Sequence, residues 1–268
     1  MTAVRVAGVI LAAGKGTRMK SPLPKVLHEI MGRPLLDWVM DSVAGAGVDE
    51  VCAVVSSEVY SSPELRARYP KLAMCIQHNQ KGTGDAVASA AVAIKGARMA
   101  SYTRGELVQG TALDCSHVLV CAGDVPGMSA RVLKLFVEDC LKSGCPLGVL
   151  GMDVPNPKGY GRLVRDEVRG ELHRIVEERD ATDEIRKLTL CNSGVVFGER
   201  QVMFDLLADL RPANAQAEYY LTDVFGLGRE RGVATRVYTA PDWTEFLGVN
   251  DREQLAHIEG LMRSRQSK

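Results

Sequence analysis

The chain has no surplus of either charge: 33 Lys and Arg residues are matched by 33 Asp and Glu residues over 268 positions. A neutral chain raises no global field to gather nucleic acid or an anionic membrane, so any site for a polyanion has to be local. No apolar run approaches the ~20 residues that a membrane-spanning helix needs. The seven cysteines are odd in number, contain no C-x-x-C pair and mostly sit inside apolar runs. That usage predicts reduced core thiols in a cytosolic protein, not a disulfide framework. Cys140 and Cys145 have no His or Cys at zinc spacing to complete a metal site. The motifs G-x-x-x-x-G-K-[ST], H-E-x-x-H and G-x-S-x-G are all missing, and with them any support for a P-loop, a zinc protease or a serine hydrolase. There is no internal repeat and no low-complexity linker. The short apolar stretch Val6–Ala13 follows Arg5 but runs into a Gly-Lys loop instead of a cleavage site, so export is not expected.

What is present is a regular alternation. At this length roughly three quarters of the unfolded surface can be buried without any staple. Val4–Ala12 is a near-continuous run of β-branched and small apolar residues, the pattern of a strand covered on both faces. Helix Pro34–Gly45, strand Val51–Val55, a short helix at Pro63–Tyr69, strand Leu72–Gln77, helix Ala86–Ile94, strand His117–Ala122, helix Ala130–Leu141 behind an Ser129 N-cap, and strand Pro146–Met152 follow. This order predicts an α/β fold of Rossmann-like type, with a mostly parallel sheet flanked by helices. Lys95–Ser116 loses periodicity and reads as a surface excursion. From Asp153 the pattern changes. Tyr160–Arg165 and Glu171–Glu178 predict a small antiparallel hairpin around Val168-Arg169-Gly170, and Leu188–Phe197 another strand. Helices are expected at Gln201–Leu210 and Glu218–Arg231, a strand at Ala234–Tyr238 and a closing amphipathic helix at Glu253–Arg263. One domain over 1–268 accommodates this: a half spanning 1–152, a second half spanning 153–250 and a C-terminal helix over 251–268.

The loop after the first strand, Leu11-Ala-Ala-Gly14-Lys15-Gly16-Thr17-Arg18-Met19-Lys20-Ser21-Pro22-Leu23-Pro24-Lys25, is the candidate centre. Gly14 and Gly16 let the backbone turn sharply and present N–H groups, while Lys15, Arg18, Lys20 and Lys25 supply charge for phosphates. It is not a Rossmann fingerprint, because Met19 stands where the third glycine would be. Taken alone, such a turn is equally a tight β-α connection without a ligand. Asp124 ends a buried strand, where it can hold phosphate-bound Mg²⁺ or simply cap a turn before Pro126. Asn250 with Glu253 reads as a capping box. Glu177 and Glu178, adjacent on a predicted strand, point to opposite faces, one into solvent and one available to a sugar hydroxyl. The amide edges of Gln77 and Gln80 can pair with a uracil-type edge, or belong to a polar loop.

Seven blocks in fixed order carry a resemblance. They are Leu11–Lys25, Gln77–Ala86 (Q-H-N-Q-K-G-T-G-D-A), Gly123–Pro126 (G-D-V-P), Gly159–Arg162 (G-Y-G-R), Ile175–Thr182 (I-V-E-E-R-D-A-T), Asn214–Asp223 (N-A-Q-A-E-Y-Y-L-T-D) and Gly248–Arg252 (G-V-N-D-R). Together the chain resembles the uridylyltransferase domain of the bifunctional N-acetylglucosamine-1-phosphate uridylyltransferases, over nearly its whole length. The resemblance implies the nucleotide-diphospho-sugar transferase fold and the conversion of UTP and N-acetylglucosamine 1-phosphate to UDP-N-acetylglucosamine and pyrophosphate. It implies that Leu11, Ala12, Ala13, Gly14, Gly82 and Thr83 line the nucleotide, with Gln77 on the uracil and Ala122 and Gly123 beside the substrates. Arg18 and Lys25 would neutralise the triphosphate and the charge that develops on it. Asp124 and Asn250 would bind Mg²⁺, and Gly161, Glu177 and Asn192 would hold the sugar. Partners are then UTP and a sugar 1-phosphate, in a cytoplasmic monomer that binds neither nucleic acid nor membrane.

Four positions depart from the family pattern: Ala122 replaces an aromatic residue, Asp85 a His and Ala217 a Gly, and Lys95–Ser116 is longer than usual. The chain ends where the family's left-handed β-helix acetyltransferase domain would begin, and no hexapeptide repeat is present. Acetyl transfer is therefore not expected, and the chain is either a stand-alone uridylyltransferase or a piece of a longer one. Transfer to another sugar phosphate or from another nucleotide such as CTP, and silent binding of a UDP-sugar, stand as alternatives.

Overall fold

The structure, a computed structural model, describes residues 4–48, 50–97, 105–166 and 170–266. Strand β1 is Val6–Leu11, and its Ala7, Val9 and Ile10 are fully buried, as a run without polar alternation requires. A loop and the two-residue strands β2 (Glu29–Ile30) and β3 (Arg33–Pro34) lead to helix α1, Leu35–Gly45. Strand β4 (Glu50–Val55), helices α2 (Ser57–Tyr60) and α3 (Pro63–Arg68), strand β5 (Ala73–Gln77) and helix α4 (Thr83–Ser89) come next. They are followed by β6 (Gly105–Gln109), β7 (His117–Ala122), α5 (Ala130–Ser143) and β8 (Leu147–Asp153). The Ser129 hydroxyl accepts the Val132 N–H at 3.3 Å and so caps α5, while Gly144, at φ 67°, closes it. The remainder comprises β9 (Arg162–Arg165), β10 (Leu172–Val176), α6 (Asp183–Arg186), β11 (Leu190–Glu199), α7 (Arg200–Ala208), α8 (Asp223–Glu230), β12 (Thr235–Ala240) and α9 (Arg252–Gln266).

The strands other than β2 and β3 form one sheet in the order β10-β9-β11-β7-β1-β4-β5-β6, with β8 alongside β11 and β12 alongside β8. Strands β7, β1, β4 and β5 are mutually parallel, and β12 is parallel to β8. Strand β11 runs antiparallel to β7, β8 and β9, and β9 with β10 makes the expected antiparallel hairpin. Helices α1 and α5 cover one face through Leu36, Val39 and Phe136, all fully buried; α4, α7 and α8 cover the other through Val87, Phe204 and Phe225. Each such side chain contributes about 1.5–3 kcal/mol by leaving water. A third cluster joins Met19, Ile30 and Leu35 to Val249, Ile258 and Met262, pinning the first loop to α9.

Three expectations need correction. Part of the Lys95–Ser116 excursion is β6, an edge strand antiparallel to β5, secured by the Gln109 amide donating to Tyr69 O and Leu72 O at 2.7 and 2.8 Å; residues 98–104 lie outside the described residues, as do Val168 and Arg169 of the hairpin turn. The helix expected from Glu218 begins only at Asp223, because Tyr219 instead bonds the second loop, its N–H to Lys81 O and its carbonyl to Gly84 N–H, both at 2.7 Å. Strand β10 stops at Val176, so Glu177 and Glu178 lie beyond it.

Candidate functional site

The carboxyl ends of β1, β5 and β7 open onto one cleft of about 600 Å³, the place where open α/β sheets bind ligands. Leu11, Ala12, Ala13, Gly14 and Lys25 line it from the first loop. Gln77, Gly82 and Thr83 line it from the second, Ala122 and Asp124 from the third, and Glu177 closes the far side. The first loop turns at Gly16, φ 59°, where a Cβ would stand 2.9 Å from the Lys25 Cβ; glycine is what lets Lys25 close over the turn. Met19, in the third-glycine position of a Rossmann fingerprint, is fully buried and anchors the loop to α9 instead of admitting a pyrophosphate. Gly123 does not line the cleft; it holds Leu11 through its N–H at 2.9 Å, and a Cβ there would meet the Leu11 carbonyl.

Lys25 Nζ forms an ion pair with the Asp124 carboxylate, and Arg18 donates from Nη2 to Asn250 Oδ1 at 2.9 Å. The Asp124 carbonyl accepts the Val249 N–H at 2.8 Å, which brings the two pairs together although Arg18 and Asn250 stand outside the cleft wall. Asn250 does not cap α9. Asp251 does, its Oδ1 accepting the Gln254 N–H, while Gln254 Oε1 accepts the Asn250 N–H, both at 2.8 Å. The N-cap is thus Asp251, one residue later than Asn250, with Gln254 reaching past it to the residue before, and that shift leaves the Asn250 side chain to Arg18. Among the described residues no cluster of three or more His, Cys, Asp or Glu side chains is arranged around a metal. One carboxylate and one amide oxygen nevertheless fit a hard cation that completes its shell with water and phosphate oxygens, which is the habit of Mg²⁺.

On the far side, Glu177 accepts the Thr222 hydroxyl at 2.9 Å, and burial pushes its pKa above the ordinary carboxylate range. Gly161 packs directly on it: a Cβ would come within 3.2 Å of Glu177 Oε2. Asn192 stands behind, its N–H donating to Gly161 O at 2.8 Å and its Oδ1 accepting the Gly194 N–H at 3.0 Å. Gly161 and Asn192 do not line the cleft. Glu178 is the more exposed of the two, its side chain 29% accessible, but it is not free in solvent. It takes the Gly159 N–H at 3.1 Å and pairs at 2.8 Å with Arg162, whose side chain is only 1% exposed. Arg162 also donates to the carbonyls of Tyr160, Arg186 and Leu188, so the buried guanidinium ties β9 to the loop around α6.

Gln77 is buried, and its Nε2 donates to Gly82 O at 3.1 Å and to Asp85 Oδ2 at 2.7 Å. Asp85, also buried, sits in the first turn of α4 and takes the Lys81 N–H as well. Sequence reasoning gave no site role to Glu218 and Tyr220, which line the cleft along with Lys15, Gln80, Val26 and Ala86. The signal for the first two lay in the block Asn214–Asp223, whose turn is held by Asn214 Oδ1 accepting the Gln216 and Glu218 N–H groups at 3.2 Å. Ala217 in that turn has φ 51°, which is the backbone reason for a Gly there in the family pattern.

Residues 8–189 match the family model of the MobA-like NTP transferase domain. The chain belongs to that family. As a MobA-like NTP transferase domain it is 38% identical over 260 residues to the bifunctional protein GlmU of Geobacter metallireducens, a match covering 97% of this chain and 51% of that protein. It is 39% identical over 258 residues to the bifunctional protein GlmU of Carboxydothermus hydrogenoformans, covering 96% and 53% respectively. The chain thus spans about half the length of these curated relatives. A crystal structure described as a putative glucose-1-phosphate thymidylyltransferase from Bacillus anthracis in complex with a sucrose shares the fold of this NTP transferase domain. It has a TM-score of 0.71 and 15% identity, with 96% of this chain and 95% of that one covered. Among the described residues no helix is long and apolar enough to cross a membrane.

Proposed function

We propose that the chain transfers UMP from UTP to N-acetylglucosamine 1-phosphate, giving UDP-N-acetylglucosamine and pyrophosphate, as a cytoplasmic enzyme that works as a monomer and requires Mg²⁺. The observation that carries this reading is the meeting of Lys25, Asp124, Arg18 and Asn250 beside a cleft at the carboxyl ends of β1, β5 and β7, in a chain of the NTP transferase family. The acceptor's phosphate oxygen is already an anionic nucleophile, so no general base is needed. The protein has to align it opposite pyrophosphate and screen two polyanions from each other. The small residues Ala12, Ala13 and Gly14 leave room for the triphosphate along the first loop. Lys25, which pairs with Asp124 in the cleft wall, would turn to the phosphate oxygens, and Arg18, beside Asn250, would supply a second charge. Mg²⁺, held by Asp124 and Asn250, would polarise the phosphates and stabilise the leaving pyrophosphate. Glu177, fixed by Thr222 and backed by Gly161, offers the sugar an acceptor, and Asn192 sets the backbone of Gly161.

The test is release of pyrophosphate from UTP, N-acetylglucosamine 1-phosphate and Mg²⁺ together. Asp124→Asn and Lys25→Ala are each expected to lower turnover about 100-fold or more. Normal turnover in both variants would overturn the assignment, and a panel of nucleoside triphosphates crossed with sugar phosphates separates other substrates from a silent binder.

A further inference from the structure

The Gln77 side chain reaches the cleft with both of its donor hydrogens already spent. Nε2 donates to the Gly82 carbonyl at 3.1 Å and to Asp85 Oδ2 at 2.7 Å, and an amide nitrogen has only two hydrogens. Neither acceptor can move aside. Gly82, at φ 103°, is wedged against the Tyr219 carbonyl, where an added Cβ would lie 2.6 Å away. Asp85 is 2% exposed, belongs to α4, and is held through its Oδ2 by the Lys81 N–H at 3.2 Å and through its carbonyl by the Ser89 hydroxyl at 2.8 Å. An amide free to rotate by half a turn presents either an acceptor or a donor to a ligand. Here rotation would set Oε1 against a carbonyl and a carboxylate, so the side chain has one orientation, and the one hydrogen-bonding valence it has left for a ligand in the cleft it lines is Oε1.

Building on the uridylyltransferase reading, we propose that Asp85 is a positioning residue for nucleobase choice: by locking Gln77 with Oε1 toward the ligand it selects a pyrimidine that carries an imide N–H. Uracil and thymine donate from N3 to such an acceptor. Cytosine presents a lone pair at N3, which faces the Oε1 lone pairs without a proton between them, and a site committed to one hydrogen-bond polarity rejects the ligand of the other. Without Asp85 only Gly82 O opposes rotation, and the flipped amide donates to cytosine N3. The discrimination therefore resides in a carboxylate that never touches the base.

Calorimetric titration with UTP, CTP and inorganic tripolyphosphate, without sugar phosphate so that no turnover occurs, tests this on the full chain and on D85A and D85N. The wild-type protein is expected to prefer UTP. D85A is expected to lower the ratio of UTP to CTP affinity by about tenfold, the worth of one charge-assisted hydrogen bond, and D85N, which keeps one acceptor, by less. Tripolyphosphate has no base, so its affinity should be alike in all three proteins; general loss of structure would weaken every ligand together and leave the ratio unmoved. An unchanged ratio in D85A and D85N that still bind tripolyphosphate overturns the role of Asp85. A wild-type protein that binds tripolyphosphate but distinguishes no base overturns it too. Binding of no nucleotide by the wild-type chain would instead bring down the uridylyltransferase reading, and this assignment with it.

Discussion

Replacing Arg162 by Met keeps the length of the side chain and removes its charge from a place where almost no water reaches. The guanidinium donates to Leu188 O at 3.1 Å, Arg186 O at 3.3 Å and the Tyr160 carbonyl, and it pairs with Glu178 at 2.8 Å. Removing it leaves these three carbonyls without their donor and Glu178, whose side chain is 29% exposed, without its charge partner, a loss of about 3–5 kcal/mol that comes mainly from the carbonyls. For a chain of this size each kcal/mol lowers the melting temperature by about 2–4 °C, so R162M is expected to melt roughly 6–20 °C below wild type. Adding E178Q removes a charge that water already reaches and should restore less than about 1 kcal/mol. The pH dependence has a definite sign. Burial opposes the charge on Glu178, but the Gly159 N–H and the Arg162 guanidinium outweigh it and hold the pKa below the ordinary glutamate value. A carboxylate whose folded pKa is depressed stabilises the protein above its unfolded pKa, and that contribution fades as pH falls through the folded value. The gap between wild type and R162M in urea denaturation should therefore be full at neutral pH and narrow below about pH 4. A gap under about 1 kcal/mol at pH 7, or one that does not narrow in acid, would refute the view of Arg162 as the charged tie between β9 and the α6 loop.

Two further outcomes concern stability. Burial, and behind it the Glu177 and Asp180 carboxylates, pushes the Asp223 pKa up to about 6. A raised carboxylate pKa gives stability that is intact below the unfolded value near 4 and lost as pH rises through about 6. D223N should flatten that decline and stabilise the protein at pH 7–8 by about 1 kcal/mol after allowance for solvent screening of a partly exposed group, measured by urea denaturation across pH; a D223N protein with the wild-type pH profile would contradict this. Ala217 occupies the left-handed region at φ 51°. A217G should relieve about 1–2 kcal/mol of strain against a smaller entropic loss, a net gain of about 0.5–1 kcal/mol visible in the melting temperature, and a melting temperature that falls would show that the turn is not strained.

The parallel core was legible because its strands are apolar on both faces and because α5 carries its own caps, Ser129 and Gly144. The segment Glu218–Tyr220 has a helical pattern but no helix, because its backbone is claimed by Lys81 and Gly84, partners that no local pattern announces. The same limit hid the shift of the last cap to Asp251, since Asn250 and Asp251 are both good capping residues and only Arg18 decides between them. In the cleft, the first two loops at strand ends could be read from their glycines and cations, and the third from Asp124 at the end of a buried strand. What could not be read was that Glu178 belongs to Arg162 and Gln77 to Asp85, because in each a buried polar group finds its partner across a sequence gap, fixed by desolvation and not by periodicity.

Strand β11 borders β7 with Val196–Glu199 and β9 with Cys191, on either side of the register shift between Asn192 and Val195. Biosynthesis therefore leaves β7 as an open edge beside β1 from the moment Ala122 is made until Leu190–Glu199 arrives. An unpaired, apolar edge in the middle of a parallel sheet is a template for a stray strand. The nascent N-terminal half has to be shielded, or kept from closing, until β11 is threaded back between β7 and β8.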